Sequence, residues 1–141
     1  MDSYSIVYVS AAIIDLEESQ LLRLLSRSRA SNERAGITGV LLYGGGRFLQ
    51  VLEGPAPAVR ALYGRIATDP RHGHLELLAD GPVPRREFAD WHMSFAPLTP
   101  SRFAGVLGYL SPSQLLRRGR QATVQQVLRE FLEAGAHYPV G

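Results

Sequence analysis

The chain contains no cysteine, which excludes disulfides, thiolate metal sites and cysteine nucleophiles. No apolar run reaches the ~18 residues that a membrane span needs. The opening, MDSYSIVYVS, lacks the basic-then-apolar pattern of a secretory leader. A cytoplasmic chain without membrane contact is therefore expected. The four histidines, His72, His74, His92 and His137, have no metal-ligand spacing such as HExxH, so no metal is expected either. Net charge is +2, with the excess at Arg117, Arg118 and Arg120. That reads as a solvated helix end, because nucleic-acid binders concentrate far more charge on one face. There is no internal repeat and no low-complexity segment.

What is present suffices for one domain: 141 residues, 45% of them hydrophobic. The organising stretch is ITGVLLYGGGRFLQVLEG, Ile37 to Gly54. Two apolar runs flank Gly44-Gly45-Gly46, which predicts a β-hairpin. In the second run Phe48, Gln50 and Leu52 share one face and Leu49, Val51 and Glu53 the other. Gln50 is the anomaly, since a buried amide without partners costs about 1–3 kcal/mol. The glycine run is no phosphate loop, for it lacks the GxxxxGK(S/T) pattern and precedes a strand.

Around the hairpin the order is strand, helix, hairpin, helix, strand, strand. Tyr4–Ser10 reads as a first strand with two largely apolar faces, which suits a central position. Asp15 and Glu18 suggest a capping box. The helix that follows runs to about Asn32, with Leu21, Leu24, Leu25 and Ser28 as its inner stripe. Asn32 continues the stripe, yet with Gly36 beyond it the pattern alone favours a C-terminal cap. Pro55 opens a second helix with Val59, Leu62, Tyr63 and Ile66 inward; Arg65 and Asp69, four apart, could pair on it. Leu75–Ala79 and Trp91–Phe95 read as strands, the latter with Trp91, Met93 and Phe95 on one face. Together these predict an α+β, ferredoxin-like βαββαβ sheet with an extra strand and both helices on one face. The other face, bearing Val7, Val9, Leu49 and Val51, needs a cover. A helical segment starting at Ser111-Pro112, broken near Gly119 and carrying a stripe of Val124, Val127, Leu128, Phe131 and Leu132, is expected to supply it. The division is residues 1–97 for the α+β domain and 98–141 for the helical cap and output segment.

Tyr8, Gln50 and Met93 could each point from a strand toward the two-helix layer, and Asn32 from the first helix. A phenol and two amides form a mixed donor–acceptor set without catalytic acidity. No carboxylate pair, Ser/His/Asp set or lysine nucleophile joins them. The set suits holding a planar heterocycle with imide-like edges and does not suit hydrolysis, so no enzyme activity is expected.

The pieces IVYVS, SNERAGITGVLLY, GRFLQVLEGP, LYGRIATDPRH and FADWHMSF together resemble the BLUF family, blue-light sensors using flavin, over roughly Tyr4 to Pro97. The resemblance implies a noncovalent flavin, FAD or FMN, between the two helices. It implies that Gln50 lies between Tyr8 and the flavin edge and that Asn32 holds the C4 carbonyl region. It places Arg65 and Asp69 near the ribityl and phosphate end, and Leu24, Phe48 and Ile66 against the ring. In the family, light moves an electron and a proton from the tyrosine to the flavin and back, leaving the glutamine rotated or tautomerised. By the same resemblance Tyr8, Gln50, Trp91 and Met93 form the photoactive group. The signal would leave through the Trp91–Met93 strand toward the C-terminal helices, a downstream protein partner or a homo-oligomer, a dimer or larger. Ser31 departs from the asparagine or histidine of many members. Two other readings compete. One is a flavin-free ferredoxin-like protein-interaction module. The other is an acylphosphatase-like hydrolase, disfavoured because Ser10-Ala11-Ala12-Ile13 offers no arginine after the first strand.

Overall fold

The computed structural model describes residues 3–13, 17–110 and 123–135. Its elements in chain order are β1 (Ser3–Ala12), α1 (Glu18–Ala35), β2 (Thr38–Gly44), β3 (Arg47–Gly54), α2 (Ala56–Ala67), β4 (His72–Val83), β5 (His92–Pro97), α3 (Pro100–Tyr109) and α4 (Val124–Gly135). The strands form one five-stranded sheet in the order β4-β1-β3-β2-β5. β1 runs antiparallel to β3 and β4, β2 antiparallel to β3, and β5 parallel to β2. This is the expected ferredoxin-like arrangement with one added strand.

The hairpin closes through a two-residue turn. Gly45 and Gly46 both have left-handed φ, 59° and 72°, as a tight turn between twisted strands requires. α1 is preceded by its cap, Glu17, whose side chain forms a capping box with Gln20; the expected cap at Asp15 lies outside the described residues. α1 continues past Asn32 and ends at Gly36, φ 73°, whose N–H reaches the Asn32 and Glu33 carbonyls. Asn32 is therefore a helix-interior residue and not the cap, and its buried side chain is free for another purpose.

The sheet separates two cores. On one face α1 and α2 cover Ile6, Tyr8, Leu41, Phe48 and Leu52. On the other, Val7, Val9, Leu49 and Val51 pack with residues of α3 and α4, including Phe103, Val106, Val127 and Leu128. A polar pin fixes α4 to β1: buried Gln125 donates from Nε2 to Ser5 Oγ at 3.0 Å. The first covering helix starts at Pro100, earlier than expected. Thr99 caps it by accepting the Arg102 N–H at 3.2 Å, and Pro100 occupies the first turn. The proposed start at Ser111-Pro112 and the break at Gly119 lie outside the described residues. No helix among the described residues is long and apolar enough to cross a membrane.

β5 departs from simple alternation. Gly39 pairs with His92 and the next residue, Val40, with Ser94, so Met93 is the extra residue of a bulge. Its φ of 52° turns the chain over. Met93 consequently packs under the helices α1 and α2, whereas Trp91 packs on the opposite side of the sheet. The expected shared face of Trp91, Met93 and Phe95 is thus corrected.

Candidate functional site

β1 and β3 place Tyr8 directly opposite Gln50, the closest relation two side chains can have across a ladder. The Tyr8 hydroxyl donates to Gln50 Oε1. At the other end of the amide, Nε2 donates to Met93 Sδ at 3.2 Å, which the bulge in β5 has turned inward. The amide is therefore oriented by a donor on one side and a weak sulfur acceptor on the other. Rotating it by half a turn would set Oε1 against the sulfur, two acceptors facing each other, while Nε2 would meet the phenol oxygen. The protein supports one orientation with both contacts and the other with one.

Tyr8 is 3% exposed, with the Tyr63 ring edge-on at 5.6 Å between centroids. Burial, and after it the charges of Tyr63 and Asp69, push its phenol well above the usual tyrosine range. Tyr8 therefore holds its proton at any physiological pH.

Tyr8 and Gln50 form one wall of a cavity of about 170 Å³ that also meets Leu24, Asn32, Phe48, Ile66 and Asp69. Leu21, Leu25, Leu41 and Leu62 complete its apolar sides. Asn32, 5% exposed, lines it from α1 and makes no side-chain hydrogen bond among the described residues. Its amide opens onto the cavity, where it can bond the polar edge of a ligand.

The far end of the cavity is charged. Arg71 Nε bonds both Asp69 oxygens, at 2.9 and 3.1 Å, and Nη2 bonds the second of them. The Arg71 guanidinium, partly offset by burial, holds the Asp69 carboxyl at about 2. His72 stands beside them, its Nε2 donating to the Ile66 carbonyl at 2.6 Å and its Nδ1 at 2.8 Å from Ser10 Oγ.

Two expected site residues are not brought here. Arg65 is exposed and absent from the cavity wall; it sits on the outer side of α2, and Asp69 pairs with Arg71 across the turn that ends the helix. Trp91 is on the far side of the sheet. Ser31 is exposed on α1. The residues that sequence reasoning missed are Arg71 and His72. Their signal was the DPRH segment itself, where Pro70 stops the helix and the next residues return along β4 past the cavity. Glu53, as alternation implies, points away from Gln50. It is fully buried on the other face, where it accepts the Glu87 and Phe88 N–H groups at 3.1 and 2.6 Å.

The composition of this cavity fits a flavin. It offers apolar sides that a ring could fill, amides and a phenol that could bond a polar ring edge, and an ion pair with a histidine at one end. Comparison with known proteins points the same way. The chain is 25% identical to "BlrB - a BLUF protein, dark state structure", with a TM-score of 0.70 over 92% of this chain and 97% of that one. It superposes on 37% of Klebsiella pneumoniae BlrP1 with FMN and cyclic diGMP, over 99% of its own length, at a TM-score of 0.67 and 26% identity. Among curated proteins it is 40% identical over 62 residues to photoactivated adenylate cyclase subunit beta of Euglena gracilis, spanning 44% of this chain and 7% of that protein. It is also 35% identical over 83 residues to the blue light- and temperature-regulated antirepressor BluF of Escherichia coli, 58% of this chain and 21% of the other. The chain thus spans a small part of the curated relatives it matches. The family profile described as "BLUF: Sensors of blue-light using FAD" matches residues 4–94; with the Tyr8–Gln50 pair lining a cavity on a ferredoxin-like sheet, the chain belongs to the BLUF family.

Proposed function

We propose that this protein is a blue-light receptor that binds a flavin noncovalently between α1 and α2 and signals by reorienting Gln50. The observation that carries the reading is the chain of hydrogen bonds from Tyr8 through Gln50 to Met93, set beside a cavity that the Asn32 side chain lines from α1. A bound flavin supplies absorption of blue light and an excited ring that takes an electron. The protein residues do the rest. Leu24, Phe48 and Ile66 exclude water from the ring, and Asn32 bonds its polar edge. Asp69, Arg71 and His72 hold the tail, with Arg71 in the role that the sequence suggested for Arg65. Tyr8 is the buried phenol in contact with the amide, able to release an electron and its proton. Gln50 can exchange which end faces Tyr8, and in doing so gives up its bond to Met93.

The flavin-binding unit is placed at residues 1–97 and the output segment at 98–141, where α3 and α4 lie on the sheet face opposite the cavity. The output goes to a protein partner or a second copy of the chain, and the unit has no catalytic role of its own. The ligand is FAD or FMN, whose phosphorylated tail the charged end of the cavity suits. The flavin-free interaction module leaves Asn32 and the cavity without a purpose.

Binding is tested by titrating the protein with FAD, FMN and riboflavin and following flavin fluorescence. All three are expected to bind. Asn32→Leu weakens each by roughly 5- to 150-fold, the equivalent of about 1–3 kcal/mol for a lost buried hydrogen bond. Failure of the wild type to take up any flavin would return the molecule to the interaction-module reading.

A further inference from the structure

Arg129, on α4, reaches back to the segment that joins β4 to β5. Its Nη1 donates to the Glu87 carbonyl. Nη1 and Nη2 fork the Asp90 carboxylate at 2.9 and 3.3 Å, and Nε bonds Glu133 at 2.7 Å. The guanidinium also lies over two rings, 5.7 Å from the Phe88 centroid and 5.3 Å from that of Trp91. From the β3 side the same segment is held by Glu53, which accepts the Glu87 and Phe88 N–H groups. Residues 87–91 are thus gripped between β3 and α4. They lead straight into the bulge: the Trp91 carbonyl accepts both the Gly39 N–H at 2.8 Å and the Met93 N–H at 2.9 Å.

We propose that Arg129 is the positioning residue that couples the Gln50 amide to α4. The inference rests on the photoreceptor reading above. When Gln50 turns, Met93 Sδ loses its donor, and the bulge no longer has that contact fixing it. Trp91 is tied to the bulge by its carbonyl, which accepts the Met93 N–H, and the two side chains face opposite sides of the sheet, so a shift of Met93 carries Trp91 with it. The Trp91 ring packs edge-on against Phe88, with centroids 5.4 Å apart, and Arg129 spans both rings. A displacement on the flavin side is thereby delivered to one guanidinium on the output helix. Only a planar, forked cation can stack on rings and chelate a carboxylate at once; an ammonium makes one contact or the other.

The test is hydrogen exchange of the flavin-loaded full chain, in darkness and under blue light, for the wild type, Arg129→Gln, Arg129→Lys and Asp90→Ala. All four are expected to show the light-induced absorbance shift, because none touches the cavity. The light-minus-dark exchange difference over residues 124–135 falls about fivefold or more in Arg129→Gln, the lower end of ordinary allosteric coupling, and Lys does not restore it. Asp90→Ala removes the fork from the loop side and reduces the difference as well, which keeps the test open should Arg129→Gln fold poorly. A merely structural role would raise exchange of α4 equally in both conditions and leave the difference intact; that result overturns the proposal. So does a wild type that shifts its absorbance without any light-dependent exchange in α4. A wild type with no absorbance shift overturns the photoreceptor reading, and this inference with it, and the spectrum alone identifies that failure.

Discussion

Gln50 sits in mid-strand with Phe48 and Leu52 as its neighbours on the same face, and its cost there is met by two contacts of unequal strength. The phenol of Tyr8 is a firm donor; the Met93 thioether is a weak acceptor. An amide held this way can turn with little loss, which a carboxamide clamped by two strong partners could not. Gln50→Leu removes both ends of the network while keeping the volume near constant, so it is expected to bind flavin and to show no light-induced absorbance shift. A second residue-scale prediction concerns the charged end. Arg71 holds Asp69 at about 2, below its ordinary 3.8. A carboxyl lowered in the folded state adds stability above its unfolded value, and that contribution fades as pH falls through the folded one. Thermal melts of the wild type and Asp69→Asn are therefore expected to differ above about pH 4 and to converge as pH falls toward 2. A gap that persists unchanged at the acid end would show that Asp69 acts through something other than its charge.

At the scale of elements, the sheet divides the molecule into a ligand side and an output side, and each side depends on the alternation of β1 and β3. Truncation after Pro97 removes α3 and α4 and bares Val7, Val9, Leu49 and Val51. With each buried aliphatic side chain worth about 1.5–3 kcal/mol, the truncated protein is expected to associate or aggregate. A monomer by light scattering that melts like the full chain would contradict the role assigned to the covering helices. The strands, the hairpin and α1 and α2 were legible because period-2 and period-3.6 apolar patterns are local. Gln50 stood out against its own strand for the same reason. The rest was set by contacts that no local pattern carries. Asn32 looked like a cap because Gly36 follows it, yet the helix runs on to that glycine. Trp91 and Met93 looked like companions because alternation cannot anticipate a bulge with positive φ. Arg65 looked like the partner of Asp69 by helical spacing, but the helix ends first and Arg71 is nearer across the turn. α3 was missed although Thr99-Pro100 announces it as a cap and first-turn proline. The grip of Glu53 and Arg129 on residues 87–91 joins positions more than thirty apart in the chain, and neither residue signals it alone.

The whole molecule is one sheet with the Tyr8–Gln50–Met93 hydrogen-bond network on one face and a helical layer on the other. At the bulge around Met93 the chain passes from Trp91 on one face of the sheet to Met93 on the other. The claim at its centre is that Tyr8 and Gln50 form a switch around an oxidised flavin, so that illumination changes hydrogen bonding without net reduction. The direct measurement is the visible absorption spectrum of the purified flavin-loaded protein, in darkness and after blue light, beside Tyr8→Phe. The account predicts a small red shift that relaxes in the dark in the wild type and is absent in Tyr8→Phe, which still binds flavin. Bleaching of the flavin bands in place of a shift, or an undiminished shift in Tyr8→Phe, would contradict it.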